Sequence, residues 1–259
     1  MNQNAGAKNK ELGKQVPNVR EGRLPYSDSS PQISTLKLLA LETTEKFGSA
    51  ALLDGDQVLA EAVLPKDRRS SQTLHPALHS LFETAQVAPT SIDVVAVVTG
   101  PGSFTGLRVG VTAAKVFAYA IGAKVVALDT FQTVAFAMPL GIMTVGVDAQ
   151  RGEVIAAVLR QTEEGRTETI RKPELIAVAD WWKHAEQYVN VVFSGPALER
   201  WRDKVPPNLV LAKESDWFPR ASAAGKLAAQ RISSEPWENV WTLLPIYSRL
   251  SAAEEKRQC

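Results

Sequence analysis

The residues best placed for chemistry form one run, Thr99-Gly100-Pro101-Gly102-Ser103-Phe104-Thr105-Gly106-Leu107-Arg108-Val109-Gly110. Its glycines permit close backbone approach. A helix opening near Thr105 would leave unpaired N–H groups and a partial positive charge at its mouth. Such a mouth can hold a phosphate. The formal motifs are not met. A P-loop ends in Gly-Lys-Ser/Thr, where this chain has Gly106-Leu107-Arg108; a dinucleotide fingerprint wants glycine where Thr105 stands. Two readings stay open. One is a phosphate cradle. The other is a tight strand-to-helix turn, capped by Ser103 or Thr105, with Gly106 and Gly110 letting the helix pack closely.

Other residues could carry chemistry. His75 and His79 have the four-residue spacing of a zinc pair on one helix face. However, no Glu follows His75, Pro76 confines it to about the first helical turn, and the only other histidine is His184. Ordinary surface or interface histidines are the expectation. Glu42 and Asp148 are the only carboxylates that could be paired across a cleft. Asp148, Arg151 and Glu153 read more simply as a hairpin turn with a local ion pair. Ser103 does not lie in a Gly-x-Ser-x-Gly elbow, so no nucleophile can be argued. Lys66, Arg68 and Arg69 form a small basic cluster suited to a solvated loop or a phosphate contact. All six tryptophans lie in the second half, where they fill a core or anchor an interface. No metal site and no cofactor is expected.

These residues need elements to hold them. The apolar runs 36–41, 48–53 and 58–63, with Asp54-Gly55-Asp56 as a turn, predict a meander of three strands. Leu74, Leu78, Leu81 and Phe82 recur at helical spacing, so 71–85 reads as a helix. The run 92–99, dense in β-branched residues, reads as a buried strand. Residues 107–122 suit a buried helix, and 124–128 another strand. Strand, strand, strand, helix, strand, helix, strand is the order of an actin-like, ribonuclease-H-like α/β unit. A second such unit is expected from 131 to 250, following a first at 36–130. It opens on strands 143–147 and 153–159, continues with a strand at 189–193 and a helix at 221–232, and closes on an extended segment at 243–248. Residues 1–35 are polar and aperiodic, which predicts a disordered tail; 251–259 is expected to be flexible.

Composition narrows the function. The chain has 259 residues, 45% hydrophobic and 22% charged, as in soluble globular proteins. A formal charge of +1 gives no field that would drive it alone to nucleic acid or an anionic membrane. No apolar run reaches the ~18 residues that span a bilayer. The single cysteine, Cys259, excludes an internal disulfide and fits a reducing cytoplasm.

As a whole string, Gly100 to Gly110 resembles the hallmark of the TsaB family, grouped with the inactive M22 glycoproteases. Leu38-Leu39-Ala40-Leu41-Glu42-Thr43-Thr44 is similar to that family's opening strand, although Glu42 stands where Asp is usual. Asp148-Ala149-Gln150-Arg151-Gly152-Glu153-Val154 resembles its second hairpin, and Pro245-Ile246-Tyr247-Ser248-Arg249 its near-terminal motif. The resemblance implies two actin-like (ASKHA) units with mixed sheets flanked by helices. It implies a non-catalytic subunit that supports a TsaD-like catalytic paralogue, joined by a TsaE-like ATPase. That assembly modifies the tRNA adenosine next to the anticodon to threonylcarbamoyladenosine, and tRNA is met only within it. The partner face would be the two helices of the first unit, through Leu74, Leu78, Leu107, Arg108, Val111, Lys115 and Phe117. The same face would allow a homodimer. Gly100, Gly102, Ser103, Thr105, Gly106 and Gly110 would be a structural turn. The alternative is an actin-like ATP- or metal-dependent enzyme: a kinase, a carbamoyl transferase or an M22-type peptidase. A protein-interaction module unrelated to tRNA is a third reading.

Overall fold

The computed structural model describes residues 36–232 and 237–247. The expected tail at 1–35, the expected flexible end at 251–259, and Ser248 and Arg249 lie outside the described residues.

Two five-stranded mixed sheets carry the fold. The first is built from β1 (Lys37–Glu42), β2 (Ser49–Asp54), β3 (Gln57–Val63), β4 (Val94–Gly100) and β5 (Lys124–Asp129), in the order β3-β2-β1-β4-β5. β1, β2 and β3 pair antiparallel; β4 and β5 add in parallel. Helices α1 (Ser70–Ala85) and α2 (Phe104–Ile121) make the crossovers. β1 and β4 are buried on both faces because the alternate sets of side chains meet different partners. Leu39, Leu41, Val95 and Val97 face Leu74, Leu78 and Leu81 of α1 and Val111, Ala114 and Ala118 of α2. Leu38, Ala40, Val94 and Ala96 face Ala221, Ala224, Leu227 and Ala228.

Those last residues belong to α7 (Ala221–Arg231), a helix that sequence order places in the second unit. It packs on the first sheet instead. Gly225 explains the fit: a Cβ there would strike the Leu53 side chain.

The second sheet has β6 (Gly141–Asp148), β7 (Glu153–Gln161), β8 (Thr167–Ala177), β9 (Val192–Ser194) and β10 (Val210–Leu211), in the order β10-β9-β6-β7-β8. Helix α3 (Thr130–Phe136), capped by the Asp129 carboxylate accepting from Gln132 N at 2.7 Å, covers one face through Phe131, Val134 and Ala135. The other face carries Trp181, Phe193, Trp201 and Trp217, with α4 (Val178–Trp182), α5 (His184–Gln187) and α6 (Ala197–Trp201). Four of the six tryptophans thus pack in or against this one core, Trp182 among them. Trp181 is fully buried, and its Nε1 donates to Thr144 Oγ1 at 2.9 Å; the same hydroxyl lies 2.9 Å from His184 Nδ1. Thr144 thus serves both rings at once. Burial, and then the nearby charge of Arg171, lower the pKa of His184.

Two expectations shift at their edges. Between 189 and 193 only Val192 onward is strand, because Val189 is exposed and Asn190 adopts a left-handed φ of 55°. The closing segment from 243 forms no strand among its described residues; it lies as an extended strap that touches β4 through Ile246 N donating to Thr99 O at 2.7 Å.

Candidate functional site

The glycine-rich string lies between β4 and α2, and the loop after β1 is seated in it. Ser103 N donates to Thr44 O at 2.6 Å, and Thr43 Oγ1 donates to Gly106 O at 2.8 Å. A Cβ on Gly102, Gly106 or Gly110 would stand under 3.0 Å from Thr44 or Thr43. At Gly100 it would meet Ile246 O at 2.6 Å, and φ there is 126°, closed to other residues. Backbone carbonyls thus crowd Gly100, Gly102 and Gly106, and the Thr43 side chain crowds Gly110. Ser103 caps α2, its Oγ accepting from Gly106 N at 3.4 Å, while Thr105 is exposed on the first turn. Of the two readings of this string, the geometry matches the tight turn. The loop 43–44 occupies the place that a phosphate cradle would keep open.

Beside this turn the strand ends of the two sheets face one another across a carboxylate-rich cleft. Glu42 is fully buried at the end of β1. Its Oε1 accepts from Thr44 N and Thr44 Oγ1, both at 2.6 Å, and its Oε2 has no partner. Burial pushes its pKa up to about 8. Glu45, half-buried in the next loop, is also pushed up to about 8, by burial first and then by the charges of Glu42, Asp148 and Glu199. Asp148 at the end of β6 is paired with Arg200 at 2.9 Å, and its Oδ1 accepts from Gln150 N at 3.2 Å. The cation shown against Asp148 is thus one from α6. Lys46 reaches Glu199 at 3.6 Å, and Phe47 meets Phe218 edge-on at 4.9 Å, so this loop bridges the two sheets' structures. Lys66 lies 3.7 Å over the Phe47 ring, which ties one member of the basic cluster down; Arg68 and Arg69 are exposed.

The third feature is a groove of about 810 Å³ between α1 and α2. Leu74 and Leu78 form its floor; Val109, Ala113 and Phe117 line it half-buried; Thr105, Arg108, Thr112 and Val116 rise as its exposed wall. Phe117 stacks on Phe82 at 5.7 Å, which fixes the spacing of the two helices. His75 lines the same groove, and His79 sits 3.2 Å from Glu83 on the outer face. Among the described residues no group of three or more His, Cys, Asp or Glu side chains is arranged to hold a metal ion.

Of the seven expected partner-face residues, Leu74, Leu78, Arg108 and Phe117 line the groove. Leu107 and Val111 do not. They are 1% and 3% exposed and point into the sheet, because the helical period turns them away from the groove. Lys115 is also displaced from the expected role: its Nζ donates to Trp241 O and Leu243 O, both at 3.2 Å, on the side of α2 that the strap 237–247 covers. Val109, Thr112, Ala113 and Val116, which were not expected from the sequence, also line the groove. The signal was available, since on a helix from 104 these residues lie together, three and four apart. By length and hydropathy α2 could cross a membrane, but one third of it is buried on the sheet and its other apolar residues line this groove and strap.

A family model for TsaD, tRNA N6-adenosine threonylcarbamoyltransferase, matches residues 57–210, more than half of the chain. A Bacillus subtilis (strain 168) protein named tRNA threonylcarbamoyladenosine biosynthesis protein TsaB is 28% identical over 228 residues, covering 85% of this chain and 97% of that protein. The Escherichia coli (strain K12) protein of the same name is 27% identical over 231 residues, covering 85% and 98%. Among solved structures, YeaZ from Pseudomonas aeruginosa superposes with a TM-score of 0.70 at 22% identity, over 82% of this chain and 100% of that one. At that identity the likeness establishes the fold alone: two mixed sheets flanked by helices.

Proposed function

The chain belongs to the TsaD family as a TsaB-family protein, and from that premise we propose that it is a non-catalytic subunit in threonylcarbamoyladenosine modification of tRNA. It binds a TsaD-type transferase through the α1–α2 groove. A TsaE-type ATPase joins the pair, tRNA is met only in the assembly, the same face permits self-association, and the assembly works in the cytoplasm.

One observation carries the non-catalytic part. The mouth of α2, where a helix N-terminus could receive a phosphate, is packed by Thr43 and Thr44. The cleft chemistry agrees. Glu42 is fully buried with its pKa pushed up to about 8, bound by Thr44, and Asp148 is paired with Arg200, so both carboxylates are engaged by the chain's own groups. The docking part rests on the groove. It is large, mostly apolar and walled by exposed residues of one helix, the kind of surface that supports helix-in-groove or helix-on-helix recognition.

Calorimetry of the isolated chain with Mg-ATP is expected to give no binding heat. Mixing with the same organism's TsaD-type transferase is expected to give a heterodimer by mass. Tight Mg-ATP binding by the isolated chain, or threonylcarbamoyladenosine made without a TsaD-type partner, would overturn the reading.

A further inference from the structure

The exposed large apolar side chains are not spread evenly. Val116 and Tyr119 of α2, with Trp241, Leu244, Ile246 and Tyr247 of the strap, form one band beside the groove, and each is between 41% and 69% exposed. The strap's attachment explains the exposure. It is fixed mainly by its backbone: Glu238 N donates to Val125 O at 3.0 Å, Ile246 N donates to Thr99 O, and the carbonyls of Trp241 and Leu243 accept from Lys115. With the backbone satisfied inward, most of its large side chains are turned out. Trp241 rests edge-on against Tyr119 at 5.1 Å, which presents both rings at the surface.

The band and the groove are one surface. Val116 belongs to both. Arg108 lines the groove, lies 3.9 Å over the Phe104 ring and donates from Nε to Tyr247 Oη at 2.9 Å. Phe104 in turn meets the Tyr247 ring at 4.6 Å. A surface of Trp, Tyr and Arg side chains with aliphatic neighbours is the composition of energetically dominant interface positions. Scattered single apolar residues need no explanation, but a contiguous band running on from a groove does.

We infer that the strap 237–247 is the second wall of the docking surface, and that the TsaD-type transferase that fills the groove also covers Trp241, Leu244 and Ile246. The inference rests on the docking reading given above. Lys115 is then a positioning residue: it holds the strap against α2 and does not itself touch the partner.

The test measures the affinity of the full chain for the organism's TsaD-type transferase, with circular dichroism melts as a fold control. Three variants are compared: Thr112→Asp in the groove, and Trp241→Ala and Leu244→Asp on the strap. All three sites are exposed, so melting temperatures should stay close to that of the wild type. Tenfold or greater weakening is expected for each. If Thr112→Asp weakens binding and both strap variants stay within twofold, the strap inference is wrong and the groove reading stands. If no variant changes the affinity, both fall. If the strap variants alter only self-association, a second copy is the occupant and the inference is overturned.

Discussion

Replacing Glu42 with Gln should flatten the pH dependence of stability. In the fold the Glu42 carboxyl is fully buried, with one oxygen bound by Thr44 and the other without a partner. Burial raises its pKa from 4.5 to about 8. Below pH 4.5 both the folded and unfolded chains carry the proton, and the buried neutral carboxyl costs nothing electrostatically. Between 4.5 and about 8 the unfolded chain ionises while the fold keeps its proton, so stability falls as pH rises. The slope is about 1.4 kcal/mol per pH unit for one group. Over the whole window the loss is about 5 kcal/mol, and above pH 8 it stops growing. Gln is neutral throughout, and its carbonyl oxygen can accept the same two Thr44 bonds. Urea unfolding followed by tryptophan fluorescence, at intervals from pH 5 to 8, should therefore give a wild-type curve steeper than the Glu42→Gln curve by roughly 1 kcal/mol per unit. Glu45 should leave a residual slope in the variant. Parallel curves would mean that Glu42 is ionised in the fold, and the account of the cleft would be wrong.

Two further outcomes test the packing. Gly106→Ala should destabilise by about 2–4 kcal/mol, because the new methyl must displace the Thr43 carbonyl, which is backbone and has little room to move; thermal melts against Gly122→Ala, where nothing lies within 4 Å and only the positive φ is strained, separate collision from dihedral cost. Thr144→Val should cost about 2–4 kcal/mol, since it strips a buried partner from both Trp181 and His184; an equal loss from Trp181→Phe alone and from the double variant would show the coupling of the pair in a double-mutant cycle.

The first sheet was legible in the sequence because its strands are short, apolar and punctuated. The elements that were not legible share a physical cause. β8 is an edge strand whose side chains are mostly exposed, so no burial forces a period of two upon it. α3 is short, and its only sequence mark is Asp129 capping three residues ahead of Gln132. At the site, the glycine string left a phosphate cradle and a tight turn both open, because what packs into it, Thr43-Thr44, lies some sixty residues upstream and only the fold brings it there. The groove residues Leu74, Leu78, Arg108 and Phe117 were within reach of helical spacing. Leu107 and Val111 were misplaced because an apolar helix with two apolar sides gives no hint of which one meets the sheet.

The return of α7 to the first sheet has a consequence for how the polypeptide is made. While the ribosome has delivered only the first two hundred residues, Leu38, Ala40, Leu53, Val94 and Val98 lack the helix that covers them. The earliest-synthesised sheet is thus finished by one of the last helices to emerge. A nascent chain therefore lacks the helix that covers this face until Ala221–Arg231 has emerged, and a truncation before Ala221 is expected to leave that apolar face exposed and the product prone to aggregate.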